Sequence, residues 1–165
     1  INYPVVQGAD NDLYLHKTFS ANENTLGAIF VDAAASSDFT DKNTIIYGHR
    51  MKDGSMFRKL EEYKDEDFWK ENPYFYIYTP DGKEITYKIY SVGQVLDTSD
   101  TYLTSFASDE EYQTFLDMTM KEADYDTGVK VTTDDTVVTL STCTAASDEH
   151  RFVVRGVKEK EVELQ

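Results

Sequence analysis

The chain has 165 residues and a formal charge of −15, from 31 acidic and 16 basic side chains. A surface this acidic repels nucleic acid and anionic lipid headgroups. The 1 cysteine excludes an internal disulfide and any cysteine-rich zinc site. Length and a 40% hydrophobic content fit a single domain over residues 1–165 with a core of its own. The 12 Tyr and 9 Phe lean the composition toward β structure. No segment approaches the ~20 apolar residues of a membrane span. The chain starts at Ile1 rather than Met and shows no signal peptide, which reads as a soluble fragment of a longer protein.

In chain order, "PVVQG" reads as a short strand ending at Gly8, and "LGAIFVDA" and "NTIIYGH" as apolar runs of strand length. "SMFRKLEEY" reads as a helix with Ser55 as its N-cap. "DEDFWKEN" reads as another, capped by Asp65 and stopped at Asn72-Pro73. "YFYIYTPDGKEITYKIYSV" is a hairpin: two alternating runs joined through Pro80-Asp81-Gly82. In "SDEEYQTFLDMTMKEADYD", Ser108 and Glu111 have capping-box spacing, and Tyr112, Phe115, Leu116, Thr119 and Ala123 share one helical face. "TVVTLST" and "RFVVRGVKEKEVEL" supply the last strands. Many short strands with little helix between them argue for a barrel or a sandwich. The long helix lies in an excursion between strands, and excursions of that length tend to be functional.

The cysteine sits where chemistry is reachable. Cys143 closes the run "TVVTLSTC" and faces a short polar loop, and Arg151 opens the next strand. A thiol becomes a useful nucleophile when nearby positive charge stabilises its thiolate. A guanidinium stays protonated and presents five N–H donors in a rigid fork, so Arg151 could also steady a developing oxyanion. Arg155, on the same strand face but further from the loop, reads as an ordinary surface arginine. Cysteine catalysis also calls for an acid/base, and histidine suits neutral pH. His16 reads as a surface residue, and His150 would point away from Arg151. His49 ends the strand "TIIYGH" behind Gly48, which allows close backbone approach. Metal and phosphate chemistry find no motif: there is no HExxH, no EF-hand loop, no GxGxxG and no phosphate loop. The acidic runs "TTDDT" and "SDEEY" read as a solvated loop and a helix start.

These residues resemble one family. "TLSTC" at 139–143 contains the L-x-T-C signature of sortases, the cysteine transpeptidases of Gram-positive cell surfaces. "NTIIYGHRMKDGSMFRKL" is similar to the histidine segment of class B sortases, as are "YPVVQGADNDLYLHKTF" and "GAIFVD" to other parts of that class. "RFVVRG" fits the strand of the family arginine. The resemblance implies a closed eight-stranded β-barrel, with short helices and a longer helix inserted before the strand that leads to the cysteine. It implies Cys143 as nucleophile, His49 as acid/base and Arg151 as the oxyanion and substrate-orienting group. It further implies a peptide groove lined by Ser141, by Thr98, Tyr102 and Leu103 of "DTSDTYLTSF", and by Asn11 and Leu15 of "DNDLYL". Core packing is the other reading of Leu15 and Leu103. Arg50 departs from the class, which has Asn after the histidine.

The implied reaction is cleavage of a sorting pentapeptide after its threonine, with proline at the second position. A thioacyl enzyme forms, and an amine of peptidoglycan precursor or of a pilin resolves it. The implied partners are therefore the sorting-signal peptide and that amine, with no cofactor, no metal and a monomeric enzyme. The implied location is the outer face of the cytoplasmic membrane, held by an N-terminal anchor outside this chain. Two other readings use the same groove: a cysteine hydrolase that releases its substrate to water, and an inactive peptide-binding module of the cell surface.

Overall fold

Alternation of apolar and polar residues draws seven strands into one curled sheet. The computed structural model describes residues 2–13, 28–49, 56–143 and 149–164. The strands are β1 (Val5–Gln7), β2 (Ile29–Val31), β3 (Asn43–His49), β4 (Tyr74–Tyr78), β5 (Lys83–Leu96), β6 (Val137–Cys143) and β7 (His150–Glu163). Their order across the sheet is β1-β2-β3-β6-β7-β5-β4. β1 runs parallel to β2 and β3 parallel to β6, and the other neighbours are antiparallel. The expected mainly-β architecture is present. Where the expected barrel has eight strands, the described residues hold seven, with β1 and β4 at the edges.

The central strands β3, β6 and β7 are buried on both faces, and each face has its own core. On the first face Ile46, Val138, Leu140, Phe152 and Val154 pack with Phe57 and Leu60. On the second, Val137 and Val157 pack with Tyr112, Phe115 and Leu116 of the long helix α2 (Asp109–Lys121). That helix begins as its spacing predicts: the Ser108 hydroxyl accepts from the Glu111 N–H at 3.2 Å. It lies between β5 and β6, ahead of the strand that ends at Cys143. The short helix α1 (Glu66–Glu71) is capped by Asp65, which accepts from the Asp67 N–H at 3.0 Å.

The hairpin also forms as expected, with β4 and β5 paired around residues 79–82. The segment before α1 differs from its expectation. It is a 3-10 helix, Phe57–Lys64, entered through Met56 at φ 57 with no side-chain cap. Its only buried residues, Phe57 and Leu60, stand three apart, which matches the three-residue turn of a 3-10 helix. Ser55, the expected cap, lies outside the described residues.

Candidate active site

Strand pairing brings distant residues together. Parallel pairing of β3 with β6 sets His49 beside Cys143, 94 positions later, as the last matched pair of the ladder. Antiparallel pairing of β6 with β7 matches Ser141 with Val153. Two residues further along each strand, on the same face, come Cys143 and Arg151. The Thr142 hydroxyl ties the strands between those positions, accepting from the Phe152 N–H at 2.9 Å. The expected trio therefore converges at one end of β3, β6 and β7. Of Cys143 only the backbone is among the described residues.

Gly48 has the role expected of it. A Cβ there would stand 2.7 Å from the Phe57 ring, so only glycine lets the end of β3 lie this close to the 3-10 helix. Arg151 is mostly covered, with its side chain 17% exposed. Its Nη1 donates to the His150 carbonyl at 3.0 Å, and its Nη2 lies 3.9 Å from an Asp97 carboxylate oxygen. Asp97 opens the segment after β5, so the guanidinium sits where that segment leaves the sheet. His150 is exposed, as strand alternation predicts.

The segment 97–103 contributes three of the expected groove residues. Thr98 is exposed, and the neighbouring Asp97 N–H donates to the Glu149 carbonyl at 2.8 Å. Tyr102 shares a hydroxyl–hydroxyl hydrogen bond of 2.7 Å with the buried Ser141. Its ring stacks on Tyr47 at 6.2 Å, and Tyr47 in turn meets Phe30 at 5.3 Å. Leu103 is 47% exposed, which favours a rim position over core packing. Asn11 is exposed and sits further off. Its side chain accepts from the Ala33 N–H at 2.7 Å and approaches Asp32 at 3.4 Å, beyond the end of β2. Leu15, His16 and Arg50 lie outside the described residues.

A hollow also lies away from these residues. A cavity of about 930 Å³ opens on the first face between the edge strands, lined by Tyr3, Val5, Phe57 and Tyr76 among others. Neither His49, Ser141, Tyr102 nor Arg151 lines it. Among the described residues no cluster of His, Cys, Asp and Glu could hold a metal.

One expectation needs correction. Arg155 is not a surface residue: it is fully buried on the second face. Its Nε and Nη2 donate to the Thr101 hydroxyl at 3.0 and 2.7 Å, and its Nη1 donates to the Ser91 hydroxyl at 2.8 Å. Glu122, at the end of α2, lies 3.5 Å from Nη2. The reason is what covers that face: Ser91 is its cross-strand partner in β5, and Thr101 from the segment after β5 and Glu122 from the end of α2 close over the guanidinium. Burial pushes the guanidinium's pKa down, opposed by Tyr90 and Glu122. Asn43 is the second polar residue that sequence reasoning missed. Its amide donates to the Thr101 and Leu103 carbonyls at 3.1 and 2.7 Å, and accepts from the Thr139 hydroxyl at 2.8 Å. For Arg155 the available signal was a charged residue inside the apolar run "FVVRGV".

The sequence model of the sortase domain family matches residues 1–159. The chain belongs to the sortase family. A sortase B from Listeria monocytogenes is 38% identical over 160 residues, covering 94% of this chain and 64% of that protein. A sortase B from Staphylococcus aureus is 35% identical over 150 residues, covering 90% of this chain and 61% of that protein. The chain thus spans less than two thirds of these curated relatives. The solved Staphylococcus aureus sortase B–substrate complex superposes with a TM-score of 0.91 at 33% identity, covering 96% of this chain and 74% of that one. The class B resemblance read from the motifs is therefore borne out. The sortase family is one of cysteine transpeptidases that act at the cell envelope. No helix among the described residues is long and apolar enough to cross a membrane.

Proposed function

We propose that this chain is the catalytic domain of a class B sortase, with Cys143, His49 and Arg151 as its reacting groups. The observation that carries the reading is the His49–Cys143 register, continued by Arg151 on the adjacent strand. The Cys143 thiolate attacks the carbonyl carbon of the threonine in a sorting pentapeptide with proline second and threonine fourth. The Arg151 guanidinium donates to the oxygen as it gains charge. His49 delivers a proton to the leaving amine, the C–N bond breaks, and a thioester remains. An amine of cell-wall precursor or pilin then attacks the thioester, and the thiolate is released. Thr98, Tyr102, Leu103 and Ser141 line the groove beside the thiol, and Asn11 and Leu15 a second segment of it. The enzyme works as a monomer at the outer face of the membrane, held there by an anchor segment beyond this chain.

Mass spectrometry tests the reading. The protein and its Cys143→Ala variant are incubated with Pro/Thr pentapeptides, with and without an added amine. Cleavage after Thr by the thiol enzyme alone, with amine-linked product, is the expected result. Free acid in the presence of amine would mean a hydrolase instead. Peptide binding with no product at all would mean a binding module.

A further inference from the structure

Two buried side chains from two strands converge on one loop residue, and a third strand holds one of them in place. Arg155 of β7 gives Thr101 two hydrogen bonds, at 3.0 and 2.7 Å, and both end on the same hydroxyl oxygen. Asn43 of β3 donates to the Thr101 carbonyl at 3.1 Å and to the Leu103 carbonyl at 2.7 Å. Thr139 of β6 holds the Asn43 amide in that orientation, donating to its oxygen at 2.8 Å. Arg155, Asn43, Thr101 and Thr139 are each fully buried. A buried polar group is costly unless its partners are in place, so this set has one low-energy arrangement.

The clamped residue sits directly before the groove. Thr101 belongs to the short turn Asp100–Tyr102, and the next two residues are Tyr102, bonded to Ser141, and Leu103, 47% exposed. Ser141 stands two residues before Cys143. The clamp thereby links the rim of the groove to the strands that carry His49, Cys143 and Arg151. It also reaches α2, because Arg155 Nη1 meets Ser91, whose hydroxyl donates to the Thr119 carbonyl at 2.6 Å, and Nη2 meets Glu122.

We propose that Arg155 is a positioning residue for peptide recognition: through Thr101 it sets where Tyr102 and Leu103 stand, and so sets peptide affinity and selectivity while leaving thiol reactivity alone. This rests on the reading of residues 98–103 as the substrate-facing rim. A purely structural arginine would lower stability without changing what the folded enzyme binds. A positioning arginine changes affinity for peptide in molecules that remain folded. Lysine at 155 keeps the charge but not the planar fork that holds one hydroxyl twice. Serine at 101 keeps the hydroxyl, and valine removes it at nearly constant shape.

The test uses Thr101→Val, Thr101→Ser and Arg155→Lys, each confirmed as folded by circular dichroism. Pentapeptide affinity is measured in the Cys143→Ala background. The iodoacetamide alkylation rate of Cys143 is measured in the background that keeps the thiol. Thr101→Val and Arg155→Lys should each weaken the best-bound peptide at least tenfold and narrow the gap between peptides. Their alkylation rates should stay within twofold, and Thr101→Ser should bind like the parent. If Thr101→Val fails to fold, Arg155→Lys carries the comparison. Unchanged affinity in folded Arg155→Lys would overturn the positioning role while leaving the proposed function standing. Equal losses of alkylation and affinity would overturn it too, as general loosening. Failure of the parent Cys143→Ala protein to bind any peptide would instead sink the reading of the rim, and this inference with it.

Discussion

The two faces of β3, β6 and β7 each have an apolar core, but the second also buries a charged guanidinium and its partners. The first carries Ile46, Val138, Leu140, Phe152 and Val154, and its cohesion is apolar and undirected. The second carries Asn43, Thr139 and Arg155 among its buried residues, and further along the same face lie Ser141, His49, Cys143 and Arg151. Apolar packing holds strands together over a range of small adjustments. Hydrogen bonds to a buried guanidinium admit little adjustment, because a displaced donor is left unpaired. Both faces contribute apolar stability, and the second adds directed bonds that fix position beside the proposed groove.

Substitutions on each face should therefore differ in kind. The largest effect is expected from Cys143→Ala and His49→Ala, which should lower peptide turnover at least about a thousandfold. Their unfolding midpoints should stay close to the parent's. Steady-state cleavage assays decide this, and near-normal turnover by either variant would remove that residue from the mechanism. On the first face, Ile46→Ala should cost about 2–5 kcal/mol in a denaturant titration, through lost burial and the cavity left behind. The folded fraction should keep its kcat/KM within a few fold. A large kinetic loss at unchanged stability would erase the distinction between the faces.

Gly156→Ala should cost less, about 1–3 kcal/mol. An added Cβ would stand 2.4 Å from the Phe75 ring and 2.9 Å from Tyr87 Cβ, so the Phe75–Tyr87 stack must shift. A variant as stable as the parent would show that the stack yields freely. The smallest effect concerns pH. Burial, with some help from Glu62, raises the Tyr63 phenol from 10.0 to about 12. The folded state thus favours neutral tyrosine. Its contribution is whole below pH 10 and declines as pH rises from 10 to about 12. Tyr63→Phe should flatten the stability curve in that window, and identical curves for the two proteins would assign the alkaline loss to other groups. Tyr87, Tyr112 and Tyr125 are raised by burial in the same direction.

Much of the fold was legible from local signals. The hairpin around Pro80-Asp81-Gly82, the Ser108 cap and the buried face of α2 follow from spacing alone, because turns and caps are made by near neighbours. The 3-10 helix was read as an ordinary helix, since a run with two apolar anchors does not distinguish the two turns. Cys143, His49 and Arg151 were legible as residue types at strand ends. Their order along the chain matched one family, and that match, rather than periodicity, joined them into one site.

Composition and pattern by themselves determined a β-rich chain, an acidic surface, the positions of most strands and one reachable thiol. The tertiary structure decided which strands are neighbours. β3 and β6 are separated by the hairpin and α2, yet they lie side by side in parallel, and no local signal specifies that pairing. It also decided the fate of Arg155. Alternation gave the residue a face, but only the loop folded over that face could make it a buried donor to Thr101 instead of a charge in water. Local periodicity assigns a side chain to one side of a strand, and what covers that side is supplied by chain far away in sequence.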